Sequence, residues 1–260
     1  WSKEEDFFHR KEVALPDKDG AHKIGVKIAD QAGNWSEETV VPVRLARAKP
    51  ALTGGPTIYA NGNGVVLSFQ TATPCLAAIE YGADDKYGDK TEERKNITHN
   101  WDANDGGDYV STWDEARAQH HIALIPPLVK SGRSYHYRLI LRDKVGNEAV
   151  LPDAAFKVAG KSRGIRVAKD GKDEDGRGAE NAPFATLQFA VDRALPGDKV
   201  IVGPGLYFGE TYITHGGVEG APLTIEAAKA GSAILDGLRK HTPIRMEHAP
   251  HLTVRGLEMR

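Results

Sequence analysis

The last hundred residues alternate short apolar runs with glycine-containing gaps. The apolar runs occupy residues 200–202, 212–213, 223–225, 233–235, 244–246 and 252–254. Many short strands without long helices between them predict a β-sandwich, a barrel or a solenoid. Ile201 and Ile225 lie in similar contexts about one coil apart, within the roughly 20 to 50 residue period of repeat folds, and this favours the solenoid.

A helix is predicted just before these runs. Leu187, Ala190, Val191 and Ala194 follow the i, i+3, i+4, i+7 spacing of one apolar helix face. Thr186 is the expected N-cap, and residues 196–197 (Pro-Gly) end a helix of about two turns. A helix before the first coil suits a solenoid, whose end otherwise exposes apolar surface and unpaired strand edges.

The order of parts from residue 163 onward resembles a known architecture. Residues 166–176 read RVAKDGKDEDG, residues 182–188 read APFATLQ, and residues 196–207 read PGDKVIVGPGLY. This order resembles the N-terminal cap and first coil of right-handed parallel β-helix proteins of the pectate-lyase-like type. The resemblance assigns residues 163–260 to a truncated β-helix and implies a carbohydrate-active parent protein.

Two reaction classes follow from that resemblance, polysaccharide lyase and glycoside hydrolase. The family carries its chemistry on later coils, so the fragment is expected to be inactive alone, with its catalytic residues unknown. The implied partner is a polysaccharide or cell-surface glycan, and the implied location is secreted or at a bacterial cell surface. The alternative is a non-catalytic adhesin or structural β-helix protein.

Two hairpin signatures precede the β-helix part. Residues 30–34 and 143–147 both read Asp-x-x-Gly-Asn between alternating strands, and these residue types favour tight turns. The motif resembles the last hairpin of bacterial immunoglobulin-like and fibronectin type III domains. Residues 1–48 are therefore predicted to be the C-terminal part of an immunoglobulin-like domain that has lost its first strands.

Residues 53–159 are predicted to form a fibronectin type III-like sandwich. They resemble the N-terminal domain of purple acid phosphatases through the strand ending in Tyr81-Gly82 and the strand beginning at Tyr135. The metal-binding motifs of the phosphatase itself are absent, so the likeness stops at the sandwich. Tyr135 is the candidate for the structural tyrosine corner. The whole chain is thus predicted to be all-β, with sandwiches followed by a β-helix and a short capping helix.

Composition narrows the function classes. The chain has 260 residues, 27% of them charged, and a formal net charge of -2, so a general nucleic-acid binder is not expected. No apolar run approaches about 18 residues, and no membrane-spanning segment is predicted. Cys75 is the single cysteine and is expected to be a buried thiol. The full-length protein is expected to be a monomer.

The acidic loop at residues 170–176 has the composition of a calcium-binding loop. Asp170, Asp173, Glu174 and Asp175 precede Gly176, and calcium prefers such oxygen ligands. The spacing fails the EF-hand register. A solvated turn is therefore the favoured interpretation, no cofactor and no metal ligand is predicted, and calcium is kept as the alternative.

The candidate binding residues are Arg245, Glu247, His248 and Arg255, from the one concentration of catalytic residue types in the coil part. Strand alternation predicts that Ile244 and Met246 point inward and that Arg245 and Glu247 point outward. Cations on an outer coil face would suit an acidic polysaccharide. The competing interpretation is a set of ordinary solvated charges.

Trp101 and Trp113 complete the candidate list. They flank a polar stretch within the long connection of the middle domain. Aromatic faces on such a loop could stack on sugar rings. The alternative is that each tryptophan anchors its own loop.

Overall fold

The structure is a computed structural model that describes residue 14 and residues 19–45, 47–90, 119–143, 145–240 and 242–260. The described residues are nearly all β, with one short helix among them. In this part of the chain no helix is long and apolar enough to cross a membrane. By its internal contacts the chain divides into two compact units, Trp1–Ala48 and Lys49–Arg260.

The first unit contains one antiparallel strand pair. Strand β1 (Gly20–Val26) pairs with β2 (Thr39–Leu45) from Gly20 opposite Leu45 to Val26 opposite Thr39. The turn between them is held by the Asp30 carboxylate, whose Oδ1 accepts hydrogen bonds from the backbone N–H groups of Ala32 and Asn34, both at 2.9 Å. The predicted Asp-x-x-Gly-Asn turn is confirmed here.

The first part of the second unit consists of two antiparallel sheets. One contains β3 (Leu52–Asn61), β4 (Gly64–Thr71) and β7 (Gln119–Leu124). The other contains β5 (Cys75–Gly82), β6 (Asp89–Lys90), β8 (Ser134–Asp143), β9 (Glu148–Val150) and β10 (Ala154–Lys157). Buried apolar side chains from both sheets, including Leu67, Phe69, Ile79 and Leu139, share one core. The two sheets therefore pack on one common hydrophobic core, and we refer to this pair of sheets as the sandwich.

Two predicted details of the sandwich are confirmed. The Asp143 carboxylate accepts from the backbone N–H groups of Val145 at 3.0 Å and Asn147 at 2.9 Å, so the second Asp-x-x-Gly-Asn turn closes in the same way as the first. The Tyr135 hydroxyl accepts a hydrogen bond from the backbone N–H of Lys130 at 2.9 Å. Tyr135 thus makes the structural hydrogen bond expected of a tyrosine corner.

The remaining strands are parallel and stack coil on coil. One sheet contains β11 (Gly164–Val167), β12 (Lys199–Val202), β15 (Leu223–Ala227) and β18 (Leu252–Arg255). A second contains β13 (Gly205–Phe208), β16 (Ala233–Asp236) and β19 (Glu258–Met259), and a third contains β14 (Thr211–Ile213) and β17 (Ile244–Met246). The apolar runs of β12, β15 and β18 therefore lie above one another in the first sheet, and those of β14 and β17 do so in the third.

The register corrects one sequence prediction. Ile225 lies opposite Val200, whereas Ile201 lies opposite Glu226. Ile201 and Ile225 are therefore not equivalent positions of successive coils. Because side chains alternate along a strand, an offset of one residue sends them to opposite faces. Val200 and Ile225 are fully buried in the coil core.

The helix is shorter than predicted. Helix α1 covers Leu187–Val191, and the Thr186 side chain accepts from the backbone N–H of Phe189 at 3.2 Å, which confirms the N-cap. After α1 the backbone N–H of Ala194 bonds to the carbonyl of Val191 at 2.9 Å. This tighter turn keeps Ala194 buried although it lies beyond the end of the helix.

Candidate functional site

The side chains of Tyr212, Arg245 and Glu247 meet on the outer face of the β14–β17 sheet. Arg245 Nη2 lies 2.6 Å from Glu247 Oε1, and the Arg245 guanidinium lies 5.1 Å from the centroid of the Tyr212 ring. The Tyr212 hydroxyl donates to Glu247 Oε2. We call these three residues the tyrosine cluster. The predicted outward orientation of Arg245 and Glu247 is thus confirmed.

Tyr212 was missed from the sequence because its partners lie one coil away. In the parallel register Tyr212 stands directly opposite Arg245. Its backbone is fixed by Gln188 of α1, whose side-chain oxygen accepts from the Tyr212 N–H at 2.7 Å and whose amide nitrogen donates to the Tyr212 carbonyl at 3.1 Å. A coil-by-coil alignment of outward residues would have found Tyr212.

The electrostatics of the cluster favour a charged carboxylate. The hydrogen bond from Tyr212 and then the hydrogen bond from Arg245 hold the pKa of Glu247 below its usual range. A carboxylate with a lowered pKa is a weaker base and does not donate protons at neutral pH. The cluster can therefore accept hydrogen bonds from a ligand hydroxyl more readily than it can act as a general acid.

Met246 has the inward register that the sequence predicts, but its side chain is not buried. Ile244 is buried, but the Met246 side chain is 56% exposed. Met246 stands opposite the fully buried Ile213, so it has the inward register. Among the described strands β17 pairs with β14 alone, which agrees with the exposure of Met246.

The predicted group of four residues is divided between different parts of the coils. His248 follows Glu247 with a left-handed backbone (φ 48) in the turn after β17. Arg255 lies on β18, in the β11–β12–β15–β18 sheet, whereas Arg245 lies on β17 in another sheet. The strands β17 and β18 are close in sequence, but the turn between them carries the chain from one sheet to the next.

Arg255 belongs to a second arrangement, which we call the charge ladder: Lys199, Glu226 and Arg255. Glu226 Oε2 accepts from Arg255 Nη2 at 2.5 Å, and Glu226 Oε1 lies 3.3 Å from Lys199 Nζ. The hydrogen bond from Arg255 is the main cause that lowers the pKa of Glu226. The ladder therefore carries one net positive charge, and its two cationic side chains are 46% and 62% exposed.

A shallow cavity of about 120 Å³ lies at one edge of this sheet. It is lined by side chains that include Arg166, Glu180, Pro183 and Ile201. Arg166 Nη2 lies 3.7 Å from Glu180 Oε1 across it. Arg166, which lines the cavity, is thus a further partly exposed cation beside the charge ladder.

The acidic loop is neither a plain solvated turn nor an array of free oxygen ligands. Asp173 Oδ1 accepts from the backbone N–H groups of Ala185 at 2.9 Å and Thr186 at 3.0 Å. Asp175 Oδ1 lies 2.7 Å from Arg193 Nε. In the described part of the chain no three His, Cys, Asp or Glu residues are grouped to hold a metal ion. Trp101 and Trp113 lie outside the described residues.

The comparison with known sequences gives one partial relative. No protein-family profile matches the chain. The pectate lyase PEL9 of Emericella nidulans is 36% identical over 75 residues, which are 28% of this chain and 18% of the relative. The chain is similar to a pectate lyase. That similarity spans less than a fifth of the relative's length.

Two solved structures align with parts of this chain. A rhamnogalacturonan lyase matches 38% of this chain and 28% of its own, with 22% identity and a TM-score of 0.31. The family 28 exopolygalacturonase of Yersinia enterocolitica matches 73% of this chain and 32% of its own, with 18% identity and a TM-score of 0.28.

Proposed function

We propose that this chain is part of a carbohydrate-active protein of the pectate-lyase-like type, acting on an acidic polysaccharide. The observation that carries the proposal is the 36% identity to a pectate lyase over 75 residues. The stacked parallel strands and the exposed cations of the charge ladder support it. The reaction class is a polysaccharide lyase or a glycoside hydrolase, and the protein works outside the cell or at its surface.

The finer fold assignment belongs to the same proposal. Residues 163–260 are the cap and first coils of a right-handed parallel β-helix, with the catalytic residues on other coils. Residues 53–159 are a fibronectin type III-like domain, and residues 1–48 are part of an immunoglobulin-like domain. The order of strands in the described residues supports these assignments.

The role of this chain is to bind the substrate. A lyase reaction removes a proton next to a uronate carboxylate, and nearby cations stabilise the negative charge that develops. Lys199 and Arg255 present their charged groups on the outer coil face, where repeating carboxylates of a polyuronate could meet them. The tyrosine cluster lies on a different sheet of the coils, β14–β17. Its ionised carboxylate, Glu247, could accept hydrogen bonds from sugar hydroxyls.

A non-catalytic adhesin or structural role is the second candidate. One observation favours it: the outward cations Arg245 and Arg255 are both bound to carboxylates of the same protein, Glu247 and Glu226. Paired surface charges of this kind are ordinary features of soluble proteins. Such a protein would need no catalytic group on any coil.

Binding to polygalacturonate tests the proposal on this chain directly. In affinity electrophoresis we expect retardation by polygalacturonate but not by a neutral glucan, and weaker retardation at high salt. Lys199→Gln and Arg255→Gln should each weaken binding by about two- to fivefold, the effect of one exposed charge. Lys157→Gln, an exposed site on the sandwich strand β10, is the control and should bind like the wild type.

Activity distinguishes the two candidates. The protein with its further coils is incubated with polygalacturonate, rhamnogalacturonan and a neutral glucan, while ultraviolet absorbance follows unsaturated products and a second assay follows reducing ends. Unsaturated products indicate a lyase, and reducing ends alone indicate a hydrolase. A folded protein that binds glycan and produces neither would support the adhesin, whereas absence of binding to any acidic glycan would refute the proposed substrate class.

A further inference from the structure

Strand β4 of the first sheet is buried on both of its faces. In β4 the six residues 64–69 are all buried, including the polar Ser68. Val65, Leu67 and Phe69 point into the sandwich core, so Val66 and Ser68 point the other way. Antiparallel sheets commonly leave that second face in water. Another part of the chain therefore covers it.

The covering element is the start of the coil stack. Tyr59 and Val66 of the sandwich, with Ala123 and Ile125, belong to one buried apolar cluster with the coil core. On the coil side that cluster includes the buried side chains of α1 and the turn after it, namely Leu187, Ala190, Val191, Ala194 and Leu195. Sandwich and coils thus share a continuous hydrophobic core.

A fully buried arginine lies at this junction. The Arg193 side chain has no exposed surface, its Nε lies 2.7 Å from Asp175 Oδ1, and its Nη2 lies 3.2 Å from Ser68 Oγ. Ser68 Oγ also lies 2.9 Å from Asp175 Oδ2, and the Tyr59 hydroxyl donates to Asp175 Oδ1 at 3.0 Å. The ion pair comes from the coil side, and both hydroxyls that complete it come from the sandwich.

The charges of this network are balanced locally. Burial alone would raise the pKa of Asp175, but the charge of Arg193 and the hydrogen bonds from Arg193, Ser68 and Tyr59 together outweigh it, and the pKa is lowered. The imidazole of His121 lies buried nearby, where burial first and the charge of Arg193 second lower its pKa to about 3. His121 is therefore neutral and adds no second cation beside Asp175.

A second polar contact ties the sandwich to the turn before β12. Asn61 Nδ2 donates to Asp198 Oδ1 at 2.8 Å and to the Pro196 carbonyl at 3.1 Å. Asp198 is fully buried and also accepts from the backbone N–H groups of Arg163 at 2.7 Å and Leu195 at 3.0 Å. Asn63 Nδ2 also donates to the Pro196 carbonyl at 3.0 Å, so Asn61 and Asn63 of the sandwich together complete a site formed by Asp198, Pro196, Arg163 and Leu195 on the coil side.

We propose that the sandwich is the end cap of the coil stack, and that its function in this chain is to close and stabilise the first coil as part of one cooperative folding unit. A stack of coils needs a terminal cap because its end coil has a neighbour on one side only. Without the sandwich, α1 would expose its apolar residues and Arg193 would lose the hydroxyls that complete its ion pair. The cap role is independent of any glycan binding by the protein.

The first test weakens the sandwich far from the junction. Leu139 of β8 is 1% exposed and lies in the sandwich core on the second sheet. In Leu139→Ala we expect hydrogen exchange of β5 and β8 to accelerate by about 100-fold, a typical effect of such a truncation. Peptides from β12 and β15 should accelerate by the same factor. Unchanged exchange in β12 and β15, with faster exchange in β5 and β8, would overturn the proposal.

The second test removes the buried cation. Arg193→Met should lower the thermal midpoint of the full chain by about 10 °C because Asp175 loses its charged partner. The control Arg166→Met loses only the ion pair with Glu180 at the surface and should change the midpoint by less than about 2 °C. In both variants sandwich and coil peptides should lose protection in one transition at the same urea concentration. Two separate transitions in Arg193→Met, or equal midpoints for the two variants, would contradict a cap that acts through this network.

Discussion

The buried carboxyl group of Asp192 should make the stability of this protein fall as the pH rises. Asp192 follows α1 and is 8% exposed, and burial raises its pKa from 3.8 to about 7. Its Oδ1 accepts a hydrogen bond from Gln188 Nε2 at 2.7 Å. Because the folded pKa lies above the unfolded one, the stabilising effect is complete below pH 3.8 and is lost progressively as the pH rises through 7.

The magnitude follows from the two pKa values. A shift of about 3 units corresponds to about 4 kcal/mol between fully protonated and fully ionised states. Asp192→Asn keeps an oxygen acceptor for Gln188 and removes the ionisation. Between pH 5 and pH 8 the free energy of unfolding of the variant, relative to the wild type, should therefore increase by about 3 kcal/mol.

Urea unfolding followed by far-ultraviolet circular dichroism at pH 5, 6, 7 and 8 measures this difference. Glu219→Gln is the matched control because Glu219 is an exposed carboxylate in the loop before β15, and its curve should parallel that of the wild type. The reasoning would be refuted by a constant difference between Asp192→Asn and the wild type across the four pH values.

Three further predictions concern sterics, acid sensitivity and the charge ladder. Gly216→Ala should destabilise the protein by more than about 2 kcal/mol, since an added Cβ would lie 1.8 Å from the Pro250 carbonyl oxygen, whereas Gly88→Ala meets nothing within 4 Å; thermal midpoints compare the two. Burial lowers the pKa of His215 from 6.5 to about 3, so protonation of His215 should lower the free energy of unfolding by up to about 1.4 kcal/mol per pH unit as the pH falls below 6.5. In His215→Asn the free energy of unfolding, measured by urea unfolding at several pH values, should depend less steeply on pH. Glu226→Gln should cost less than about 1 kcal/mol of stability because its partners are exposed, and, on the proposed function, should tighten binding to polygalacturonate in the electrophoresis assay; weaker binding would speak against a cationic glycan surface.

Short-range features could be read from the sequence because all their partners are close along the chain. The two Asp-x-x-Gly-Asn turns need only an aspartate that bonds backbone groups two and four residues ahead. The Thr186 cap needs only the N–H three residues ahead. Strand alternation likewise gave the outward direction of Arg245 and Glu247 correctly, because alternation is a property of one strand.

Partners in other coils could not be found in this way. The loops between strands differ in length, so residues that are adjacent in space on neighbouring coils are not separated by a constant number of positions in the sequence. Arg255 follows Arg245 by ten positions, yet it binds Glu226 of the preceding coil. An error of one residue in the coil period, as with Ile201 and Ile225, exchanges inner and outer faces. The sequence therefore indicates which residue types face outward, but it does not indicate which residues of other coils they contact.

At the junction between the sandwich and the first coil, the partners of a residue lie still further away in the sequence. Arg193 lies within a stretch predicted to be an amphipathic helix, where a charged residue would ordinarily face water, but Ser68, 125 positions away, helps to bury it. Apolar contacts alone would tolerate small shifts between the two parts, because dispersion and burial have little directional preference. The hydrogen bonds of Arg193 and Asn61 do depend on direction, and a shift that broke them would leave buried polar groups without partners at considerable cost. The polar residues of the junction therefore define one orientation of the sandwich on the first coil.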